Sequence, residues 1–256
     1  LIYMMKVTQV MTYDEYWNAQ QFLCKRPVMN GSLVKLYGDE NVSLQKQRYL
    51  DAIDEFKKLY GDGEIEIFSA PGRSEIGGNH TDHNNGRCLA GAVNLDTVAA
   101  VALNGTNTIR ILSKGYPMSV VDITELTPVE SEINSTPALI RGVVARFTQL
   151  GCKVEGFDAY VTSTVLPGSG LSSSAAFEVL VGTVLNELFF EEKCTPVEIA
   201  QIGQYAENVY FGKPCGLMDQ MASSVGNIIT IDFADPSAPI IEQVDFDFSA
   251  SGHALC

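Results

Sequence analysis

The sequence predicts an α+β layered fold, and three observations predict it. Short runs rich in Val, Ile and Phe are bounded by Gly, Asn and Pro, the signature of strands. Other stretches repeat their apolar residues every three and four positions, as a helix with one buried face must. Asn104-Gly105 sits between two of the strand-like runs, so strands and helices do not alternate as regular βαβ units, and no internal repeat or low-complexity tract is present.

Taken in order, residues 1 to 60 read as helical turns joined by irregular links, closing on an amphipathic helix over 44–60 with Leu50, Ile53, Phe56 and Leu59 on its apolar side. Gly61-Asp62-Gly63 ends that helix. A short strand around Ile65 and Phe68 leads into Ala70-Pro71-Gly72, and the runs 98–103 and 109–112 are expected to pair across the Asn104-Gly105 turn. Pro137 belongs in the first turn of a helix whose stripe of Leu139, Ile140, Val143, Val144, Phe147 and Leu150 ends at Gly151. Residues 158–165 read as a strand. After a Gly-Ser loop comes a helix, apolar on nearly every face, that reaches Phe189 or Phe190. Thr195-Pro196-Val197-Glu198 is a capping box with Pro at the first helical position, opening a helix that runs to about Phe211. Glu207 falls at the margin of that helix's Ile199, Gly203, Ala206, Tyr210 stripe, where a solvated carboxylate is less expected. New strands begin at 228–233.

A chain of 256 residues with 46% apolar content builds one large core or two modest ones, burying roughly 70–75% of its unfolded surface. Its net charge of −14 argues against a nucleic-acid surface and against attachment to anionic lipid. An anionic ligand must then be held by backbone amides, a few arginines and a cation. Six cysteines, at 24, 88, 152, 194, 215 and 256, form no CxxC pair, which reads as reduced thiols. The opening Leu1-Ile2-Tyr3-Met4-Met5-Lys6 lacks the pattern of a signal peptide, and no apolar run of eighteen residues is expected to cross a bilayer, so the expected location is the cytoplasm.

Three stretches carry chemistry. Pro167-Gly168-Ser169-Gly170-Leu171-Ser172-Ser173-Ser174-Ala175 places glycines that bend tightly ahead of a helix with unpaired N–H groups and a positive dipole end, a combination suited to phosphate. Its serines can cap the helix, bond phosphate oxygens or touch a metal ion. No Lys follows as a P-loop demands. The second stretch runs Ala70-Pro71-Gly72-Arg73-Ser74-Glu75-Ile76-Gly77-Gly78-Asn79-His80-Thr81-Asp82-His83-Asn84-Asn85-Gly86, dense in the carboxylate, amide and hydroxyl groups that grip sugar hydroxyls. His80 and His83 supply only two zinc ligands, with His253 the remaining histidine, so zinc is not expected. The third is Gly212-Lys213-Pro214-Cys215-Gly216-Leu217-Met218-Asp219-Gln220-Met221-Ala222-Ser223-Ser224. Here Asp219 is placed either to orient and deprotonate a hydroxyl, with an arginine stabilising developing charge, or to cap a helix.

Together, in order and separation, the three stretches resemble the motifs of the GHMP small-molecule kinases, galactokinases in particular, over about residues 62 to 256. The resemblance implies a ribosomal protein S5 domain 2-like N-terminal lobe at 62–240, preceded by a helical extension at 1–61, with 241–256 beginning a truncated C-terminal lobe. It implies an ATP- and Mg²⁺-dependent transfer to the C1 hydroxyl of α-D-galactose. Asp219 and Arg73 would be catalytic, and Gly168, Ser169, Gly170, Leu171, Ser172, Ser173 and Ser174 would cradle the triphosphate, with Ser113 touching the nucleotide. Ser174 and Glu207 would hold Mg²⁺, while Asn79, His80, Thr81, Asp82 and Gly216 would face the sugar. Two departures stand out. Asn79 replaces the family's usual Glu, and Ser74-Glu75 replaces Val-Asn, so another sugar such as an N-acetylhexosamine or a heptose competes with galactose. The family's third motif is missing, and a noncatalytic sugar and nucleotide sensor on the same fold is the alternative outside enzymes.

Overall fold

A computed structural model describes residues 33, 34 and 36–246. Expectations for residues 1–32, and for Cys24, His253 and Cys256, lie outside the described residues.

The framework is a seven-stranded sheet centred on one long strand. In chain order the elements are α1 (Val42–Tyr60), β1 (Glu66–Gly77), β2 (Arg87–Leu103), β3 (Thr108–Ser113), β4 (Ser119–Asp122), α2 (Thr136–Gln149), β5 (Phe157–Ser163), α3 (Ser173–Phe190), α4 (Pro196–Ala206), α5 (Met218–Val225), β6 (Ile228–Asp232) and β7 (Ile240–Gln243). β2 pairs antiparallel with β1 along one edge. Its other edge is divided, Thr97–Leu103 going to β5 and Arg87–Gly91 to β6. The sheet order is therefore β4-β3-β5-β2-β6-β7, with β1 on β2.

Period-two alternation sorts the two faces. Ile65, Ile67, Val98 and Ala100 turn toward Ala52, Ile53 and Phe56 of α1. Phe68, Ala70, Ala99 and Val101 turn the other way, onto Phe147, Leu180, Val184 and Ile199 of the main helical layer. Each such buried Leu, Ile or Phe contributes roughly 1.5–3 kcal/mol relative to exposure. Met218, Met221 and Ala222 of α5 cover the other end of the sheet with Cys88, Ala90, Ile229 and Ile231. The sheet thus lies between α1 and the remaining helices.

Several expectations need correction. The strand expected around Ile65 and Phe68 does not stop at Ala70-Pro71-Gly72 but continues to Gly77, with register shifts at Pro71/Arg73 and Glu75/Gly77. The runs on either side of Asn104-Gly105 do not form a hairpin. β5 inserts between them, pairing antiparallel with β2 and parallel with β3. Asn104 explains why: its side-chain amide donates to Thr108 O and Asp158 Oδ1, while Gly156 N donates to Thr106 O, so the turn grips the start of β5. Ser173–Phe190 is a run of eighteen residues apolar enough to cross a membrane, contrary to expectation. It is the core helix, with Leu180 and Leu185 among the most deeply buried side chains. α4 ends at Ala206, and Glu207–Phe211 widens into a π turn. The boundary expected at 240 falls inside β7, which pairs with β6 in the same sheet.

Candidate functional site

The bulge in β1 places Arg73 where three chain segments meet. Its backbone N–H donates to Leu171 O at 3.1 Å, tying the strand to the Ser-rich loop. Its guanidinium then forks onto Asp219, Nε to Oδ1 and Nη2 to Oδ2 at 2.7 Å each, and Nη1 reaches Gly170 O at 2.6 Å. Two parallel charge-assisted bonds fix the relative orientation of both groups. Arg73 is 7% exposed and Asp219 31%, so the carboxylate is the member of the pair open to a ligand.

Asp219 does not cap its helix. It lies in the first turn of α5, whose N-cap is Leu217 without a side-chain cap bond. Nor do the loop serines cap α3. Ser172 occupies the N-cap in a left-handed conformation, φ 57°, and its hydroxyl donates to Asp219 Oδ2 instead. Gly168 and Gly170 hold φ of 78° and 79°, and a Cβ on either would meet nothing, so the loop stays open on that side. Helix start, loop and acid therefore share one mouth. Ser113 ends β3 in register with Val161 of β5, at the sheet end from which this loop departs.

Behind the loop, Ser174 Oγ lies 3.5 Å from Glu207 Oε1, with Lys213 Nζ 3.6 Å from the same oxygen. Glu207 is the first residue of the π turn and only 3% exposed, which accounts for its place beside an apolar stripe. No group of three His, Cys, Asp or Glu side chains poised for a metal exists among the described residues. A hydroxyl and one carboxylate do suit Mg²⁺, which keeps several waters and takes its remaining oxygens from substrate phosphates.

The second polar stretch closes the other side. Asp82 Oδ2 accepts from Met218 N at 3.2 Å and Ser223 Oγ donates to Pro71 O at 2.6 Å, so these bonds and the Arg73–Asp219 fork all join the β1 motif to α5. Asp82 Oδ1 is buried without a partner. Gly216 fits against this carboxylate so closely that a Cβ there would lie 1.8 Å from Asp82 Oδ2. Asn79 and His80 are both left-handed and exposed. Thr81 turns its hydroxyl back onto Arg87 O at 3.0 Å, holding its own turn.

Sequence reasoning gave no role to three members of this region, although Glu75 and Gln220 lie within the stretches it singled out. Glu75 accepts from His80 N at 2.7 Å and faces His80 Nε2 at 3.3 Å. Glu178, 1% exposed on α3, and Gln220, 1% exposed on α5, join through the amide Nε2 at 2.9 Å. Burial above all, then the Glu207 carboxylate, pushes the Glu178 carboxyl well above the usual range. The available signal was a charged residue, one of two in α3, placed between Phe177 and Val179 on a helix apolar on nearly every face. Burial, followed by the charge of Glu207, likewise pushes the nearby Cys215 thiol up.

Residues 138–227 match the GHMP kinases N terminal domain, and residues 54–103 match the galactokinase galactose-binding signature. Residues 1–66 match nucleotide modification associated domain 2, a span of which half lies outside the described residues. The galactokinase of Clostridium tetani is 34% identical over 172 residues, 67% of this chain and 44% of its own. That of Streptomyces coelicolor is 34% identical over 205 residues, 79% of this chain and 52% of its own. The chain thus spans about half the length of the curated relatives it matches. Among solved structures, the Lactococcus lactis galactokinase in complex with galactose superposes with a TM-score of 0.68 at 28% identity, over 75% of this chain and 50% of that one. The Methanococcus jannaschii mevalonate kinase, with TM-score 0.60, 16% identity and coverage of 73% and 58%, is a likeness of fold alone.

Proposed function

Since the chain belongs to the GHMP kinase family and carries its galactokinase signature, we propose that it forms the catalytic half of an ATP-dependent sugar-1-kinase acting on galactose. The observation that carries this reading is the forked Arg73–Asp219 pair, joining residues 146 apart beside the open Gly-Ser loop. A carboxylate so held orients the C1 hydroxyl and accepts its proton as the oxygen forms its bond to the γ-phosphorus and the bond from that phosphorus to the β-bridging oxygen breaks, releasing ADP. Arg73 stabilises charge on the transferring group. The residues from Gly168 to Ser174 face the phosphates through backbone N–H groups and hydroxyls, and Ser113 borders the nucleotide. Ser174 and Glu207 would hold Mg²⁺, which supplies charge neutralisation on the phosphates when bound. On the sugar side, the unpartnered Asp82 Oδ1 accepts a hydroxyl, with Asn79, His80, Thr81 and Gly216 around it. Free cysteines at 88, 152, 194 and 215 accord with a cytoplasmic setting.

One observation favours a second reading of the substrate. Asn79 stands where a carboxylate is usual, and the nearby acid is Glu75, already bonded to His80. An amide that donates as well as accepts suits a sugar with a different hydroxyl arrangement. An ADP-release assay with the full chain across galactose, N-acetylhexosamines and heptoses separates the cases. Release greatest with galactose supports the proposal, another preferred sugar shifts it to that substrate, and no release with any sugar leaves a noncatalytic binder.

A further inference from the structure

Gln220 presents one side-chain nitrogen to two carboxylates. Its Nε2 donates to Glu178 Oε2 at 2.9 Å and to Glu207 Oε2 at 3.0 Å. A primary amide nitrogen has two hydrogens, and both are used. The reverse orientation would aim the amide oxygen at two carboxyl oxygens, so the donor assignment follows from the neighbours. All three side chains are buried, at 1%, 1% and 3% exposure. Gly203 faces the bridge, and a Cβ there would press on Glu178 Oε2 and Gln220 Cγ at 3.1 Å. Glu178 Oε1 and Gln220 Oε1 have no partner of their own, so the bridge is the main polar anchor of this cluster.

The consequence falls on Glu207. With Oε2 pinned by the amide, its other oxygen, Oε1, faces Ser174 Oγ and Lys213 Nζ. We propose that Gln220 is a positioning residue, anchored by Glu178, that fixes the Glu207 carboxylate with one oxygen presented beside Ser174 for a divalent cation on a nucleotide. This rests on the reading of Ser174 and Glu207 as the cation-holding pair. Outer partners of metal-binding carboxylates typically change metal affinity by about 10–100-fold when removed.

The test uses the full chain with a non-hydrolysable ATP analogue and Mn²⁺ as probe, bound metal being counted by electron paramagnetic resonance. Gln220→Met keeps the side-chain length and removes both donors. It is expected to weaken Mn²⁺ binding by about tenfold or more, while affinity for the analogue without metal stays within about twofold. Glu178→Gln retains an oxygen acceptor for the Gln220 amide and is expected to keep Mn²⁺ affinity close to that of the parent. Should Gln220→Met fold poorly because it strands a buried acid, the double variant Glu178→Leu, Gln220→Met removes acid and donor together and still frees Glu207. Parental Mn²⁺ affinity in the folded single or double variant, alongside weakened binding in Glu207→Gln, overturns the positioning role. Parental affinity in Glu207→Gln itself overturns the cation-pair reading on which the inference rests.

Discussion

Gly216 is the residue whose replacement has the most direct consequence, because the space for a side chain is already filled by Asp82. Gly216→Ala must push the Asp82 carboxylate or the α5 start aside, at a cost of about 1–3 kcal/mol for an overpacked site. The expected kinetic result is a raised KM for sugar with nucleotide affinity unchanged, checked by initial rates with each substrate varied in turn. Asp219 gives a different signature. Asp219→Asn keeps the shape while removing the acceptor for the hydroxyl proton, and kcat is expected to fall by about 10²–10⁴-fold with nucleotide binding within a few fold. Unchanged turnover in that variant would remove the carboxylate from its role. Both positions were reached through the family resemblance, since Asp219 taken alone reads equally as a helix cap. The resemblance set Arg73 beside Asp219, but the two-bond fork and the Ser172 hydroxyl on the same carboxylate were not legible, since both partners lie far off in sequence.

At the scale of elements, α3 combines two functions that conflict at its ends. Its N-terminus belongs to the open loop. Its C-terminus carries Glu187, Glu191 and Glu192 with no basic residue in the last turn, the sign that the helix dipole disfavours. Burial first, then a hydrogen bond with Glu192 and the charge of Glu192, pushes the Glu187 carboxyl up to about 7 from an ordinary 4.5. The folded form therefore binds the proton more tightly than the unfolded chain does. No cost exists below pH about 4.5; the cost grows as the unfolded chain ionises and is complete above about 7, so stability falls as pH rises through that window. Glu187→Gln should abolish this component, gaining on the parent between those limits and holding a constant advantage above them. Denaturation at a series of pH values checks it, and parallel curves for parent and variant would refute it. The helix itself was evident from its composition. The split of the predicted α4 into a helix and a π turn was not, because a one-residue widening leaves the apolar stripe nearly unchanged.

At the scale of the whole molecule, the α1 layer is tied to the sheet by Asp96, which is fully buried on β2. Tyr37 donates to its Oδ2 at 2.6 Å, Ser69 donates to the same oxygen, and Arg48 of α1 reaches Oδ1 at 2.5 Å while its Nη2 bonds Asp96 O and Thr162 O. One acid thus links α1, β1, β2 and the end of β5. Arg48→Leu would leave that carboxylate without its cation, and a loss of about 3–5 kcal/mol is expected, measured by urea unfolding. A change under 1 kcal/mol would mean that the two hydroxyls suffice.

What the sequence determined by itself was local: which faces are apolar, where Pro, Gly and the capping box start and stop helices, and which short stretches concentrate polar groups between glycines. Periodicity states that a strand has a buried face, but it does not name the neighbour across the hydrogen bonds. The tertiary structure alone decided that β5 would enter between β2 and β3, and that Arg73 would close on Asp219, 146 residues away, through two parallel bonds. It alone also decided that Glu178 and Glu207 would share one amide. These outcomes depend on long-range closure and on the packing of whole layers, so the residues that make the site were readable before the contacts that give each of them its role.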